Sequence, residues 1–200
     1  MKTADAPAAV RIIDCSRRAY RSWQPGNRRA AQSARQAANR VGSMESTEID
    51  ESFARRAIEL ARQARVAGDH PFGALLVLDG QVVLTARNTV STDGDPTAHA
   101  ETNLVAAAIR QLSAEQIRRS VLYTSCEPCA MCVGKMYWAG IRSVVYALSA
   151  EELAVLAGAD FLIPCKDLFA RAVESVNIAG PMLLNEARDV HLGFWPPSAA

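Results

Sequence analysis

Two short stretches of this sequence decide its fold: Pro96-Thr97-Ala98-His99-Ala100-Glu101 and Glu127-Pro128-Cys129-Ala130-Met131-Cys132. One imidazole and two thiolates, from His99, Cys129 and Cys132, can bind a zinc ion through three protein ligands. Three ligands leave one tetrahedral position open, which is typical of a catalytic zinc site rather than a structural one. The sequence therefore predicts one catalytic zinc ion per chain.

Glu101 lies two residues after the histidine and is predicted to be catalytic rather than a ligand. A carboxylate beside the metal can take and return protons, and such general acid–base help contributes roughly 10² to 10⁴ in rate. Cys129 and Cys132 open a predicted helix over residues 129–138, where the helix N-terminus favours thiolates. Cys126 is an alternative fourth ligand that would make the site structural, but a buried filler is the preferred interpretation of this residue.

A gap of 26 residues, 102–127, separates the H-x-E motif from the P-C-x-x-C motif. This arrangement resembles the signature of zinc-dependent nucleobase and nucleoside deaminases, the cytidine and deoxycytidylate deaminase superfamily. Within it, the sequence is most similar to the bacterial guanine deaminase and nucleoside deaminase branch, and next to the tRNA adenosine deaminases. The residues that carry the resemblance are Pro71–Ala74, Arg87-Asn88, Asp95–Glu101 and Ser125–Cys132. It covers roughly residues 50 to 148 and fades beyond them.

The order of predicted elements indicates an α/β fold. A helix over 48–67 precedes a hairpin with an Asp79-Gly80 turn, because Gly accepts the positive φ of such turns. Helices and strands then alternate, with a helix over 98–112, a last strand over 173–178 and a final helix from Pro181 to near Trp195. This pattern predicts a mixed sheet with helices on both faces. The resemblance implies the same fold, a three-layer α/β/α sandwich with a mixed five-stranded central sheet.

The resemblance also implies residues that contact the substrate. It makes Asn88 a side-chain contact to the edge of a base, Ala100 a backbone contact, and Phe72 and Trp138 walls of the pocket. It further implies a homodimer. His191 and Trp195 remain open between packing of a C-terminal helix and closure of the active site.

Composition narrows the class of protein. The chain has 200 residues, half of them hydrophobic, which suits one domain with a core of its own. No apolar run is long enough to predict a membrane span, and no N-terminal apolar segment predicts secretion. Five cysteines, three of them crowded into one motif, indicate metal chemistry in a reducing compartment. We therefore expect a cytoplasmic protein.

Charge divides the chain at about residue 43. Residues 1–43 contain nine Lys or Arg and two Asp, whereas residues 44–200 contain 13 basic and 19 acidic residues. Low hydrophobicity and high charge predict a disordered leader over 1–43 and a deaminase domain over 44–200. The leader has three interpretations: an extension upstream of a working start at Met44, a basic arm without a defined role, or a targeting or nucleic-acid-binding arm.

The predicted function is hydrolytic release of ammonia from a free base or nucleoside, with guanine or guanosine preferred. An acidic domain disfavours a polyanionic substrate, because phosphate contacts dominate nucleic-acid affinity. A tRNA adenosine deaminase is nevertheless an alternative, kept open by the basic leader, and a cytosine or aminotriazine deaminase is another. A zinc-binding module without catalysis is the alternative that the presence of Glu101 argues against.

Overall fold

A computed structural model describes residues 47–158 and 162–196. The basic leader predicted over 1–43 lies outside this part of the chain, so its role stays a prediction. The helices and strands, in chain order, are α1 (Thr47–Val66), β1 (Gly73–Leu78), β2 (Gln81–Arg87), α2 (Val90–Asp93), α3 (Ala100–Gln111), α4 (Ala114–Arg119), β3 (Val121–Cys126), α5 (Ala130–Ala139), β4 (Ser143–Leu148), α6 (Ala150–Ala157), α7 (Cys165–Phe169), β5 (Asn177–Ala179) and α8 (Leu184–Asp189). Among the described residues, no helix combines the length and apolar character needed to cross a bilayer.

The five strands form one sheet in the order β2-β1-β3-β4-β5. β1 runs antiparallel to both β2 and β3, whereas β4 runs parallel to both β3 and β5. The predicted mixed five-stranded sheet is confirmed. The predicted hairpin turn is also present, because Asp79 and Gly80 have φ values of 51° and 75°. Two consecutive positive φ angles match the twist that connects neighbouring antiparallel strands.

Helices cover both faces of the sheet, as a three-layer sandwich requires. The side chains of a strand alternate between its two faces, and β1 follows this rule. Ala74 and Leu76 pack in a cluster with residues of α3, α5 and α7. Leu75 and Val77 pack on the opposite face with residues of α1. The α/β/α prediction is therefore confirmed.

The parallel strands β3 and β4 end at the edge of the sheet where the cysteine motif begins. β3 and β4 end in register, with Cys126 paired to Leu148. The ladder continues for one more bond, from the Glu127 amide to the Leu148 carbonyl at 2.8 Å. The turn that carries Cys129 and Cys132 follows at once, so it lies at the carboxyl edge of these strands.

Two short helices were not predicted from the sequence. α2 is a single turn, but α4 carries a sequence signal: Ser113 and Gln116 form a reciprocal capping box, the S-x-x-Q pattern that marks a helix start. At the C-terminus, the last strand begins at Asn177 rather than at 173. The final helix is Leu184–Asp189, shorter than predicted, because Leu183 has a left-handed φ of 59° and the helix begins only after it.

Candidate active site

Helix starts bring the three predicted metal ligands together. His99 is the N-cap of α3, Cys129 is the N-cap of α5, and Cys132 lies in the first turn of α5. The two sulfur atoms are 3.6 Å apart, and they lie 3.6 and 3.7 Å from Nδ1 of His99. A tetrahedral zinc ion with bonds of about 2.3 Å to sulfur and about 2.0 Å to nitrogen separates such ligand atoms by roughly 3.5 to 3.8 Å. The three residues therefore fit zinc. Within the part of the chain that the structure describes, they are the one group of metal-binding side chains close enough to do so.

Each of the three ligand side chains shifts the pKa of its neighbours. Contact with Cys132, together with the neighbouring His99, lowers the pKa of Cys129 to about 4 against the effect of burial. The contact with Cys129 in turn raises the pKa of Cys132, and the Cys129 sulfur raises the pKa of His99. A metal ion binds the deprotonated forms of these groups, so metal binding releases protons from the cluster.

Cys126 lies apart from the three ligands. It is buried and packs with Ile58 and Ala61 on the α1 side of the sheet. Cys132 instead belongs to the cluster on the opposite face. The packing supports the preferred interpretation of Cys126 as a buried filler. Among the described residues, the candidate zinc site therefore has three protein ligands.

Glu101 is buried in the first turn of α3, with 5% of its surface exposed. Its Oε1 accepts a hydrogen bond of 2.7 Å from the hydroxyl of Thr124, and its Oε2 lies 3.5 Å from the sulfur of Cys132. Burial raises the pKa of Glu101, while the Thr124 hydrogen bond opposes that rise. One carboxylate oxygen is thus anchored to β3, and the other faces the metal ligands.

Asn88, Phe72 and the start of α3 are joined through the backbone. The amide of Asn88 donates to the Phe72 carbonyl at 3.0 Å, and the Thr89 amide donates to the Ala98 carbonyl at 3.0 Å. Ala100 is fully buried and is the first residue of α3, directly after the ligand His99. Its amide is one of the groups that a helix start leaves without an intrahelical acceptor. Three of the predicted substrate contacts, Asn88, Phe72 and Ala100, are therefore connected to the segment that carries His99.

The side chain of Asn88 has one unused donor. It is 1% exposed, and its Oδ1 accepts a hydrogen bond of 3.0 Å from the Val90 amide. Its Nδ2 is the one buried side-chain nitrogen or oxygen among the described residues without a hydrogen-bond partner. Buried polar groups are almost always paired, so this orphan N–H group indicates a missing acceptor.

Aromatic residues from the C-terminus complete the surroundings of Phe72. Its ring centroid lies 5.3 Å from that of His191 and 6.1 Å from that of Trp195. The His191 and Trp195 rings stack within 10° of parallel, and the Trp195 indole N–H donates to Nδ1 of His191 at 3.2 Å. Phe72 therefore stands against an ordered aromatic surface.

Trp138 is the one predicted pocket residue that the structure does not bring into this group. Its side chain is 74% exposed. It lies on the face of α5 opposite to Cys132 and Met136, both of which are buried. A wall role for Trp138 within a single chain therefore has no support from its position.

Comparison with known proteins agrees with this geometry. The family model of the cytidine and deoxycytidylate deaminase zinc-binding region matches residues 47–148, about half of the chain. The chain belongs to this family. The predicted resemblance, the zinc cofactor and the hydrolytic deamination of an exocyclic amino group are thereby confirmed.

Individual relatives of this deaminase differ in the substrates that their names give. A probable cytosine deaminase of Schizosaccharomyces pombe is 37% identical over 161 residues, covering 78% of this chain and 98% of that protein. A guanine deaminase of Bacillus subtilis is 45% identical over 105 residues, covering 52% of this chain and 67% of that protein. A solved structure of a tRNA:A34 deaminase is 26% identical with a TM-score of 0.59, covering 70% of this chain and 99% of that one.

Proposed function

We propose that this deaminase releases ammonia from guanine or guanosine. The observation that carries the proposal is the unpaired Nδ2 of Asn88, buried beside the metal ligands. The Val90 amide fixes the orientation of this side chain, because a backbone N–H must face Oδ1 and not Nδ2. The pocket therefore offers an N–H donor and calls for an acceptor on the substrate. Guanine presents a ring carbonyl and ring nitrogens, and the 45% identity to a guanine deaminase points to the same base.

The other predicted contacts suit a flat ring. Phe72 would lie against one side of the base, supported from behind by His191 and Trp195. Burial lowers the pKa of His191 to about 4, so its imidazole ring is uncharged at pH 7. A neutral aromatic wall fits an uncharged heterocycle.

The chemistry of the proposed reaction replaces the exocyclic amino group of the base by the oxygen of water. When bound to His99, Cys129 and Cys132, zinc supplies Lewis-acid chemistry that brings the pKa of water to about 7. Glu101 would take a proton from the water at Oε2, the oxygen that faces the ligands, and pass it to a ring nitrogen. It would then deliver a second proton to the departing amino group, which leaves as ammonia.

Thr124 serves this proton transfer by holding Glu101. Its hydroxyl donates to Oε1, so the rotation of the carboxylate is fixed and Oε2 stays directed at the metal ligands. Preorganised orientation of this kind spares the cost of ordering the carboxylate during the reaction.

Cytosine is the second candidate substrate. It also offers a ring carbonyl to Asn88, and the match to a probable cytosine deaminase spans 98% of that protein. This match is longer than the 47–148 segment that the family model covers. A polyanionic tRNA is disfavoured, since residues 44–200 contain 19 acidic and 13 basic residues.

A substrate panel tests the proposal. Zinc-loaded protein is incubated with guanine, guanosine, cytosine, adenosine and a tRNA anticodon stem, and ammonia is measured. We expect the highest kcat/KM for guanine or guanosine. A higher value for cytosine would establish the second candidate, and release from the tRNA stem alone would overturn both.

A homodimer and a cytoplasmic location are further parts of the proposal. Trp138 and Met131, 74% and 37% exposed, lie on the same side of α5, and a second copy of the chain is the occupant that would cover them. Light scattering of the wild-type protein and of Trp138→Ala tests the dimer, which we expect the substitution to weaken. The metal-binding thiols need a reducing compartment, and cell fractionation tests the location.

A further inference from the structure

Glu127 is a buried acidic residue that the proposed reaction does not use. It lies between the last residue of β3 and the proline that precedes Cys129, and 7% of its surface is exposed. Burying a carboxylate is costly unless hydrogen bonds compensate. The hydrogen bonds of Glu127 therefore indicate why an acidic residue is buried at this position.

The carboxylate accepts hydrogen bonds from the first backbone amides of two helices. Its Oε2 accepts a hydrogen bond of 2.9 Å from the amide of Ala150, the first residue of α6. Its Oε1 accepts one of 2.7 Å from the amide of Cys165, the first residue of α7. First-turn amides lack intrahelical acceptors, and a carboxylate accepts from them strongly because it is charged.

The backbone of Glu127 is held as well. Its amide donates to the Leu148 carbonyl, so the residue is fixed to β4 on one side and starts the ligand turn on the other. Three hydrogen bonds thus fix Glu127, the residue that directly follows β3. Cys129 lies two residues after Glu127 along the chain, so a change in the backbone conformation of Glu127 would displace this metal ligand.

We propose that Glu127 is a positioning residue that locks the Cys129–Cys132 turn in its metal-binding shape by pinning it to the starts of α6 and α7. The segment beyond β4 thereby contributes to zinc retention without supplying a ligand. This inference concerns the metal site and does not depend on which base is the substrate.

The test measures zinc release from the loaded protein in excess chelator, well below its melting temperature. Glu127→Gln keeps the volume of the side chain but leaves one of the two amides facing an NH₂ group. We expect zinc to leave roughly 10- to 100-fold faster, the scale for residues that support metal ligands from outside. Glu151→Gln is the matched control, because Glu151 is exposed in the first turn of α6 and should release zinc at the wild-type rate.

A second variant covers the case in which Glu127→Gln does not fold. Ala150→Pro removes only the amide that donates to Oε2, at a helix position where proline is well tolerated. Ser149 already has the extended conformation (φ −76°, ψ 159°) that a residue before proline adopts. We expect faster zinc release from this variant too, by a smaller factor. Wild-type release rates in the folded variants, even with lowered melting temperatures, would show that Glu127 only caps helices and would overturn the proposal.

Discussion

At the scale of single residues, the proposed chemistry depends on the different contacts of the two carboxylate oxygens of Glu101. Oε1 is tied to Thr124, and Oε2 is left for proton transfer. A carboxylate anchored on one side only can exchange protons without losing its orientation. Catalysis and metal binding should therefore be separable by substitution.

Replacing Glu101 by Gln should separate them. The amide cannot take a proton from water, so we expect kcat to fall by about 10² to 10⁴. Zinc content should stay near one per chain, because Glu101 is not one of the three proposed zinc ligands. Metal analysis and steady-state kinetics on the same preparation provide the measurement. Loss of zinc from this variant would reassign Glu101 as a ligand.

Replacing Asn88 by Asp should damage substrate recognition. The Asp side chain keeps an oxygen for the Val90 amide but turns the unpaired N–H donor into an acceptor. We expect kcat/KM for guanine to fall by about 10² or more, since an acceptor on the base would then meet an acceptor on the protein. Asn177→Asp, at an exposed position of β5, is the control and should keep wild-type kinetics. Equal kinetics for both variants would remove Asn88 from the pocket.

Sequence and resemblance could predict the three ligands, Glu101, Asn88, Ala100 and Phe72 as site residues, because each lies in or next to a recognisable motif. Thr124 was missed as the partner of Glu101. The two residues are 23 positions apart and meet only when α3 packs on β3, which no local pattern encodes. Trp138 shows the opposite effect, since a motif position carried over from relatives does not fix whether a side chain faces inward.

At the scale of elements, close packing of α1 on the sheet explains why Gly73 starts β1. A Cβ atom at this position would lie 2.5 Å from the Ala57 carbonyl oxygen and 2.6 Å from the Ala61 amide nitrogen, and still closer to the Leu60 Cβ. The Gly73 amide also donates to the Ser125 hydroxyl at 3.0 Å, two residues before Glu127. The packing of α1 is thus connected to the strand that leads into the metal-binding turn.

Gly73→Ala should therefore destabilise the protein by about 3 kcal/mol, because backbone atoms must move to relieve the clash. Gly80→Ala provides a comparison. Its φ of 75° strains an alanine, but no atom lies within 4 Å of the added Cβ, so we expect a loss of only about 1 kcal/mol. Urea unfolding of the two variants measures both values. Similar losses would contradict the packing argument.

The regular elements of the sandwich were predictable because their patterns are strong and local. β1, β2 and the turn between them follow from an apolar run, Asp79-Gly80 and a second run of strand-forming residues. The region after β4 was predicted less well. Its short elements are fixed by long-range contacts, such as those of Glu127 with Ala150 and Cys165, which hydrophobic periodicity does not reveal.

At the scale of the whole molecule, the C-terminal aromatic residues make stability depend on pH. Burial, and then the nearby charge of Arg65, lower the pKa of His191 to about 4, against an ordinary value of 6.5. The unfolded chain therefore binds more protons than the folded one between pH 4 and 6.5. The stability that neutral His191 provides is complete above pH 6.5 and is lost as the pH falls toward 4, by about 3 kcal/mol.

His191→Phe should remove this dependence, because phenylalanine does not titrate. The measurement is urea unfolding of wild-type and variant zinc-loaded protein from pH 4 to 7. The difference between the two proteins cancels the pH dependence of zinc binding that they share. We expect the free energies of unfolding to converge as the pH falls, and parallel curves would show that His191 does not titrate in this range.

Deletion of residues 1–43 tests the predicted division of the chain. The proposed active-site residues all lie beyond residue 71, so we expect the 44–200 protein to keep the wild-type kcat for small bases. Steady-state assays on both proteins provide the comparison. A large fall in kcat would give the basic leader a role in the reaction.

The two-residue turn at Asp79-Gly80 offers a practical opportunity. β1 begins at Gly73 beside Ser125 and ends at Leu78, and six strand residues span roughly 20 Å. The tip of the hairpin is thus remote from the reacting groups. An epitope or a surface-immobilisation peptide inserted at this turn would leave the proposed active site accessible. The protein is therefore suited to use as a tethered biosensor.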